Sequence, residues 1–273
     1  MTPFSVLISI YHKERPEWFD EAMASLFAQT LLPSEIVLVK DGPLTPELEA
    51  IIDKYQAKYP IFNIVTNPTN LGLGLALARG VEAASNEIIA RMDTDDVIPA
   101  DRFKKQIAKI EEGYDVVSCW SLIYEGSIDN IIATKTLPEH SDNIITLAHK
   151  RSPICHAGSV FRKSSVLKAG NYLHALYYED YYLWIRMILD GCKFYNIQEV
   201  LYYIRTSQDQ IKRRGGWNYL MNELKIFKLF HKIGFYTAKD LLVNSFIRIC
   251  VRLTPTSLRK LAMKIVWNKK TSV

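Results

Sequence analysis

The chain has 273 residues, of which 48 % are apolar, and a formal net charge of +5. This length fits one large domain or one domain with an extension, and the apolar content argues against a disordered chain. The four cysteines are scattered without a CxxC pair, which indicates reduced cytosolic thiols rather than a disulfide framework or a zinc site.

The positive charge is concentrated at the C-terminus. Residues 241–273 contain seven basic side chains and no acid, whereas the preceding residues contain 27 basic and 29 acidic side chains and so carry a net charge of −2. A body that binds nucleic acid would need a basic face, so this distribution argues against a nucleic-acid partner. No signal peptide is recognisable, and no apolar stretch approaches the roughly 20 residues that a membrane span needs.

The first 120 residues alternate short apolar strands with amphipathic helices. Strands are predicted at 4–11, 35–40, 61–65, 87–92 and 114–120, and helices at 16–29, 45–59, 74–84 and 99–112. This alternation predicts an α/β fold with a mostly parallel, doubly wound sheet and right-handed crossovers. The loops that follow the first four strands should then meet at one edge of the sheet, where ligands bind. These loops are residues 11–15, 41–44, 67–72 and 93–96.

The second half is less regular. Its pattern predicts antiparallel strands within 120–135, a helix at 142–150, a strand at 156–162, a short helix ending at Gly170, a helix at 179–190, short strands at 193–196 and 200–205, and helices at 217–231 and from 237 onward. Gly72 and Gly74 lack the third glycine of a dinucleotide-binding loop, so that kind of site is not predicted.

Three carboxylates follow the fourth predicted strand within four residues. Asp93, Asp95 and Asp96 come directly after an apolar sequence that should be buried. Two carboxylates one residue apart, on a turn that leaves a sheet, can share a hard divalent cation through their oxygens, and the cation can hold a diphosphate-bearing substrate. The alternative is that Asp95 or Asp96 caps the helix expected to begin near Pro99.

A series of short motifs runs along the chain in a fixed order. They are Ser5-Val6-Leu7-Ile8-Ser9-Ile10-Tyr11, Gln29-Thr30 with Glu35-Ile36-Val37-Leu38-Val39, Asp41-Gly42, Asn70-Leu71-Gly72, Ala90-Arg91-Met92-Asp93-Thr94-Asp95-Asp96 and Glu179-Asp180-Tyr181-Tyr182-Leu183-Trp184. In this order they resemble the family 2 glycosyltransferases of the GT-A fold, over roughly residues 4–235. The residues of these motifs are most similar to those of the branch that contains the amylovoran-type bacterial exopolysaccharide and O-antigen transferases.

The resemblance implies a GT-A domain at 1–235 and a basic, amphipathic helical extension at 236–273. It also implies that Asp93 and Asp95 hold Mn²⁺ or Mg²⁺ together with the donor diphosphate. The family's contacts to the donor nucleotide map onto Tyr11, Glu14, Asp41, Asn70, Asp93, Arg213 and Arg214.

These donor contacts have alternatives. Asp41 is also suited to an Asx turn with the following glycine, Tyr11 to the rim of the core, and Arg213 and Arg214 to a solvated loop. The chain departs from the family pattern at Lys40, where an acid is usual, and at Ala78, where an asparagine is frequent.

Asp180 matches the residue that acts as catalytic base in the family. It would take the proton of the acceptor hydroxyl, at the N-terminus of a helix whose dipole stabilises its charge. An aromatic cluster around it suggests a platform for sugar rings, and the predicted acceptor and sugar pocket consists of His156, Tyr178, Glu179 and Trp184. The alternatives are ordinary first-turn acids at 179 and 180 and a structural His156.

The implied activity is inverting transfer of a hexose from a UDP-sugar to a hydroxyl of a lipid-linked oligosaccharide or glycan, at the cytoplasmic face of the plasma membrane. Two other functions stay open. A sugar-1-phosphate nucleotidyltransferase would share the fold plan but needs a glycine-rich loop after the first strand, and residues 11–15 contain no glycine. A non-catalytic nucleotide-sugar-binding protein would not need the acids at 93, 95 and 180.

The C-terminal segment has its own pattern. From Pro255, apolar residues follow helical spacing and basic residues occupy the rest of the helix surface. This pattern predicts an interfacial helix on an anionic membrane surface. The alternative is a helix that docks on the body or on a partner subunit.

Overall fold

A single mixed sheet forms the centre of the molecule, which is described by a computed structural model covering residues 2–175, 177–206 and 216–253. The strand order is β3-β2-β1-β4-β7-β5-β6, and β8 pairs with β5. Strands β1 to β4 are mutually parallel, and β7 runs antiparallel between β4 and β5. The strands are β1 Phe4–Ile10, β2 Glu35–Asp41, β3 Phe62–Asn67, β4 Ile88–Arg91, β5 Val116–Glu125, β6 Ile131–Lys135, β7 Val160–Arg162 and β8 Phe194–Thr206.

Helices cover both faces of this sheet. They are α1 Pro16–Phe27, α2 Pro46–Lys58, α3 Leu73–Ala83, α4 Arg102–Glu111, α5 Ser141–Ala148, α6 Lys163–Lys168, α7 Glu179–Leu189, α8 Trp217–Lys232 and α9 Ala238–Leu253. The predicted alternation in the first 120 residues is confirmed. Its local signals hold as well, since the Thr45 side chain caps α2 by accepting a hydrogen bond from the Leu48 backbone at 3.4 Å.

The core follows from the alternation of side chains along the buried strands. Val6 and Ile8 of β1 pack on one face of the sheet against α1 and α4, whereas Leu7 packs on the other face against α3 and α7. Gly80 lets α3 approach closely, because a Cβ there would lie 2.2 Å from a methyl group of Leu7. This close packing positions the start of α3 at the sheet edge where β1, β2 and β4 end.

Four predicted elements differ from the structure. The strand predicted at 156–162 forms only from Val160, because residues 156–159 make a turn in which the Ser159 hydroxyl donates to the His156 carbonyl oxygen at 2.6 Å. The two short strands predicted between 193 and 205 form the continuous strand β8. Helix α4 begins at Arg102 rather than at Pro99.

The C-terminal helices pack on α7. Tyr181 and Ile185 of α7 share a hydrophobic cluster with Phe227 and Phe230 of α8 and with Tyr236. No described helix is long and apolar enough to cross a membrane. The division at residue 235/236 stays a prediction, and the helix predicted from Pro255 lies outside the described residues.

Candidate functional site

The loop after β4 gathers three carboxylates. One carboxylate oxygen each from Asp93, Asp95 and Asp96 lies within 4.8 Å of the other two. Asp93 and Asp95 are partly exposed, whereas Asp96 is buried. Hard divalent cations such as Mg²⁺ and Mn²⁺ prefer oxygen ligands, so this donor set fits the predicted cation. Asp93 and Asp95 are the two carboxylates that a substrate can reach.

A fully buried arginine lies against the cluster. Arg91, the last residue of β4, donates hydrogen bonds to the Asp93 carboxylate and to the Met92 carbonyl oxygen. Burial alone would lower the pKa of Arg91, but the Asp93 charge, Tyr202, Tyr172 and the hydrogen bond to Asp93 together outweigh burial, and the pKa is raised. Arg102, also buried, donates to the Arg91 carbonyl oxygen at 2.7 Å. Asp93 is therefore held beside a permanent positive charge on a fixed strand end.

Strand β8 fixes the other side of the loop. The Asp96 carboxylate accepts a hydrogen bond from the backbone N–H of Arg205 at 2.8 Å, and the Arg205 side chain donates to the Asp95 carbonyl oxygen at 3.0 Å. The buried Tyr202 hydroxyl accepts a hydrogen bond from the Asp93 backbone N–H at 3.0 Å. Since α4 begins only at Arg102, the alternative that Asp95 or Asp96 caps that helix is wrong.

Burial and mutual repulsion disfavour the ionised forms of two of these carboxyls. Burial, followed by the Asp93 charge, raises the pKa of Asp95 to about 6. Burial and the charges of Asp95 and Asp93 raise the pKa of Asp96 well above its ordinary value. A bound cation would reverse this preference, because it favours the ionised carboxylates. Such a strained set of like charges is typical of a functional site.

The end of β2 organises the loop in front of α3. The buried Asp41 carboxylate accepts hydrogen bonds from the backbone N–H groups of Leu71 at 2.8 Å and Gly72 at 3.0 Å, and from Asn67 Nδ2 at 2.8 Å. Asn70 Nδ2 donates to the Asp41 carbonyl oxygen at 3.3 Å. The Asp41 carboxylate thus holds residues 67–72 in place and does not form an Asx turn with the residues that follow it. Direct contacts of Asp41 and Asn70 with a nucleotide stay predictions.

The remaining donor-side residues lie at the same sheet edge or outside the described residues. Tyr11 and Glu14 are half-buried in the turn after β1, where the Glu14 backbone N–H donates to the Tyr11 carbonyl oxygen at 3.1 Å. Lys40 stands where the family usually has an acid, and its Nζ pairs with the Glu49 carboxylate at 2.6 Å. Asp41 is therefore the one carboxylate of the usual acidic pair that is present here. Arg213 and Arg214 lie outside the described residues.

Helix α7 begins with the two predicted acids. Glu179 and Asp180 are both partly exposed. A Cβ on Gly74 would lie 3.1 Å from the Glu179 Cβ, so the start of α3 lies directly against the start of α7. Burial, reinforced by the Asp180 charge, raises the pKa of Glu179 to about 7. This close contact gives Gly74 a structural role, whereas the sequence alone assigned no role to Gly72 or Gly74.

His156 and Tyr172 connect the carboxylate cluster to α7. His156 Nε2 lies 3.0 Å from the Tyr172 hydroxyl. Burial and the Arg91 charge lower the pKa of His156 to about 4, against the opposing charges of Asp180 and Asp93. The charges of both predicted acids therefore act on this one imidazole ring, which indicates that the start of α7 lies near the cluster. His156 is neutral at pH 7, and its place in a sugar pocket stays a prediction.

Two residues of the predicted aromatic platform are buried. Trp184 is fully inaccessible to solvent and packs against His156, Phe161 and Phe194 in the core, so its prediction as a sugar-stacking face is wrong. Tyr178 is buried against α8, and its prediction is wrong for the same reason. The helix carrying them packs on the sheet with one side and on α8 with another, so most of its aromatic side chains fill the core.

Sequence reasoning missed several side chains that support the site. Arg91 carried a usable signal, since a charged residue inside an apolar strand needs a partner. The others had no local signal, because their roles depend on strand pairings far apart in the sequence. These residues are Arg102, Tyr172, Tyr202 and Arg205.

Comparisons with known proteins give the family. Residues 5–169 match the family model for glycosyl transferase family 2, and residues 88–270 match that for glycosyl transferase family group 2. The chain belongs to glycosyltransferase family 2.

Two curated relatives of this family 2 member are similar over most of their length. The amylovoran biosynthesis glycosyltransferase AmsE of Erwinia amylovora is 40 % identical, with 83 % of this chain and 85 % of the relative covered. An Escherichia coli UDP-Gal:alpha-D-GlcNAc-diphosphoundecaprenol beta-1,3-galactosyltransferase is 34 % identical, with 94 % and 93 % covered.

Solved structures show the GT-A fold. Staphylococcus aureus TarS 1–349 in complex with UDP-GlcNAc has a TM-score of 0.66 at 19 % identity, covering 90 % of this chain and 72 % of that one. The mannosyltransferase PcManGT from Pyrobaculum calidifontis, in complex with GDP-Man and Mn²⁺, has a TM-score of 0.67 at 14 % identity, covering 97 % and 75 %. The predicted GT-A fold is confirmed.

The carboxylate cluster predicts pH-dependent cation binding. With Asp95 titrating near pH 6 in the metal-free protein, protons compete with the cation below that pH. We expect Mn²⁺ to bind in the presence of UDP at pH 7.5 and about tenfold more weakly at pH 5, read from the EPR signal of free Mn²⁺. Asp93→Asn should abolish this binding, and Asp53→Asn on the exposed side of α2 should not change it. Equal affinity at both pH values would contradict the prediction.

The Tyr202 hydroxyl predicts a measurable role in holding the loop. Tyr202→Phe removes the acceptor of the Asp93 backbone N–H and should lower the free energy of unfolding by about 1–3 kcal/mol. The loosened loop should also bind Mn²⁺ more weakly. Urea unfolding and the same Mn²⁺ titration measure both effects. Tyr203→Phe, the next residue of β8, is the matched control, and identical behaviour of the two variants would contradict the role.

Proposed function

We propose that this family 2 enzyme transfers a hexose from a UDP-sugar to a hydroxyl of a lipid-linked acceptor, with inversion at the anomeric carbon. The observation that carries this proposal is the cluster of Asp93, Asp95 and Asp96 after β4, whose oxygens suit a diphosphate-bound cation. The charges of Asp93 and Asp180 both act on His156, which supports a position of Asp180 near that cluster. The sugar that is transferred is proposed to bind between them.

Asp180 is proposed as the base. It takes the proton of the acceptor hydroxyl while that oxygen forms a bond to the anomeric carbon, and the bond from that carbon to the diphosphate oxygen breaks, releasing UDP. Attack opposite the leaving group in one displacement turns an α-linked donor into a β-glycoside. Asp180 lies in the first turn of α7, which fixes the position of its carboxylate on a helix rather than on a loop.

Asp93 and Asp95 are proposed to hold the divalent cation, Mn²⁺ or Mg²⁺. When bound, this cation neutralises the charge that develops on the departing diphosphate. Arg91 positions Asp93 from inside the protein, and Arg205 and Tyr202 hold the loop in place without contacting the substrate. The chain's own contribution is a rigid carboxylate pair that needs little rearrangement.

The choice of donor and acceptor is supported by the curated relatives. The Escherichia coli relative is named for UDP-Gal and for an acceptor sugar on diphosphoundecaprenol, and AmsE for amylovoran biosynthesis. We infer a role in bacterial surface polysaccharide synthesis at the inner face of the plasma membrane. Tyr11, Glu14, Asp41, Asn70, Arg213 and Arg214 stay proposed as donor contacts, and Glu179 as part of the acceptor pocket.

Family membership favours this activity over the two alternatives from the sequence. A nucleotidyltransferase lacks support, because the turn after β1 contains no glycine-rich phosphate loop. A non-catalytic binding protein would not need Asp180 beside the carboxylate cluster.

The base assignment predicts the behaviour of Asp180→Asn. Transfer from a UDP-sugar should fall by about 10²–10⁴-fold, because the amide cannot accept the proton. The affinity for UDP and Mn²⁺, measured by calorimetry, should stay unchanged. Asp190→Asn, just past the other end of α7, is the control and should transfer at the wild-type rate. Turnover by Asp180→Asn equal to that of the control would remove Asp180 as the base.

A further inference from the structure

Helix α9 packs on the protein through its polar side. Asn244 is buried and donates to the His149 carbonyl oxygen at 2.9 Å. Arg248 and Arg252 both reach the buried Glu223 of α8, at 3.1 Å and 2.9 Å. A surface helix of a globular protein normally turns its apolar stripe inward, so α9 is inverted relative to that rule.

The opposite side of α9 is apolar and exposed. Leu242 is 71 % exposed and Phe246 is 69 % exposed, and Val243 and Ile247 beside them are about half exposed. At 100° per residue, these positions and Cys250 fall on one side of the helix, and the exposed Lys239 of the first turn falls on the same side. We call this surface the outer face of α9, consisting of Leu242, Val243, Phe246, Ile247 and Cys250. A contiguous apolar surface of this kind marks an interaction site.

The C-terminal end of α9 lies near the start of α7. Arg252, on the inward side of α9, lies over the ring of Tyr219 at 4.5 Å, and Tyr219 stacks on Tyr177 at 5.1 Å. Tyr177 is three residues before Asp180 in the chain. Trp217, at the same end of α8, is 64 % exposed. A surface that binds α9 would therefore also lie near the start of α7.

Charge identifies the occupant. No acid follows Asp240 in the sequence, and Lys239 at the start of α9 is exposed. Of the seven basic residues after Asp240, Arg248 and Arg252 are paired with Glu223, and the other five belong to residues 254–273. A second copy on this face would bring like charges together, whereas an anionic lipid surface complements them and receives apolar side chains.

We propose that the outer face of α9 inserts into the headgroup region of an anionic bilayer and so holds the start of α7, which carries Asp180, near the lipid surface. That a lipid-linked acceptor reaches Asp180 from this membrane surface rests on the proposed function. The membrane contact itself rests on the inverted helix and its charge, so the two can fail separately.

The test uses the full chain and vesicles. Wild-type protein should co-sediment with vesicles that contain phosphatidylglycerol and much less with phosphatidylcholine alone. The double variant Leu242→Ser, Phe246→Ser should bind the anionic vesicles more weakly by a factor of about ten or more, because it loses two apolar groups from the contact. Leu32→Ser, Ile131→Ser is the matched control on exposed apolar residues elsewhere, and it should bind like wild type.

Three outcomes would overturn the proposal. The first is wild-type protein that stays in solution with anionic vesicles. The second is a double variant that sediments like wild type. The third is a wild-type dimer without lipid that Leu242→Ser, Phe246→Ser converts to a monomer, since a second copy would then cover the face. Hydrolysis of a soluble UDP-sugar should be equal in both variants. If the wild-type protein does not hydrolyse it, the proposed function is wrong but the membrane contact is not affected.

Discussion

Like charges held close together at the end of a buried strand are the constraint on which the rest of this structure depends. Three carboxylates within 4.8 Å repel one another, and burial makes the ionised forms of Asp95 and Asp96 still less favourable. The protein tolerates the arrangement by placing Arg91 behind Asp93 and the backbone N–H of Arg205 against Asp96. Asp93 and Asp95 are partly exposed, so a cation can reach the cluster at these two residues.

The topology of the sheet brings the groups that stabilise these carboxylates to one loop. Strand β4 lies between the parallel β1 and the antiparallel β7, which buries both sides of the strand that carries Arg91. The short β7 follows the turn that contains His156, and so delivers the imidazole to the same edge. Strand β8 returns alongside β5 and supplies Tyr202 and Arg205 to the loop. Residues more than 100 positions apart in the sequence thus fix one four-residue loop.

Much of the first half could be predicted from the sequence, because its signals are local. The alternating strands and helices, the Thr45 cap and the carboxylates after β4 are each readable within a few residues. The placement of β7 and β8 could not be predicted in this way, since it depends on long-range strand pairing. Trp184 shows the limit for side chains, because an aromatic residue beside functional acids reads as a sugar platform when the packing of its helix is unknown. Asp41 shows another limit, since two of its three hydrogen bonds to residues 67–72 come from backbone N–H groups that no sequence pattern displays.

The cation site and the base are proposed to face one another across the space for a single sugar. A crystal structure with Mn²⁺ and UDP, phased at the manganese absorption edge, would show whether they do. We expect an anomalous peak for manganese held by Asp93 or Asp95 and by the diphosphate, with the Asp180 carboxylate facing that diphosphate across a gap lined by His156. Manganese bound elsewhere, or an Asp180 side chain directed away from the diphosphate, would rule this arrangement out.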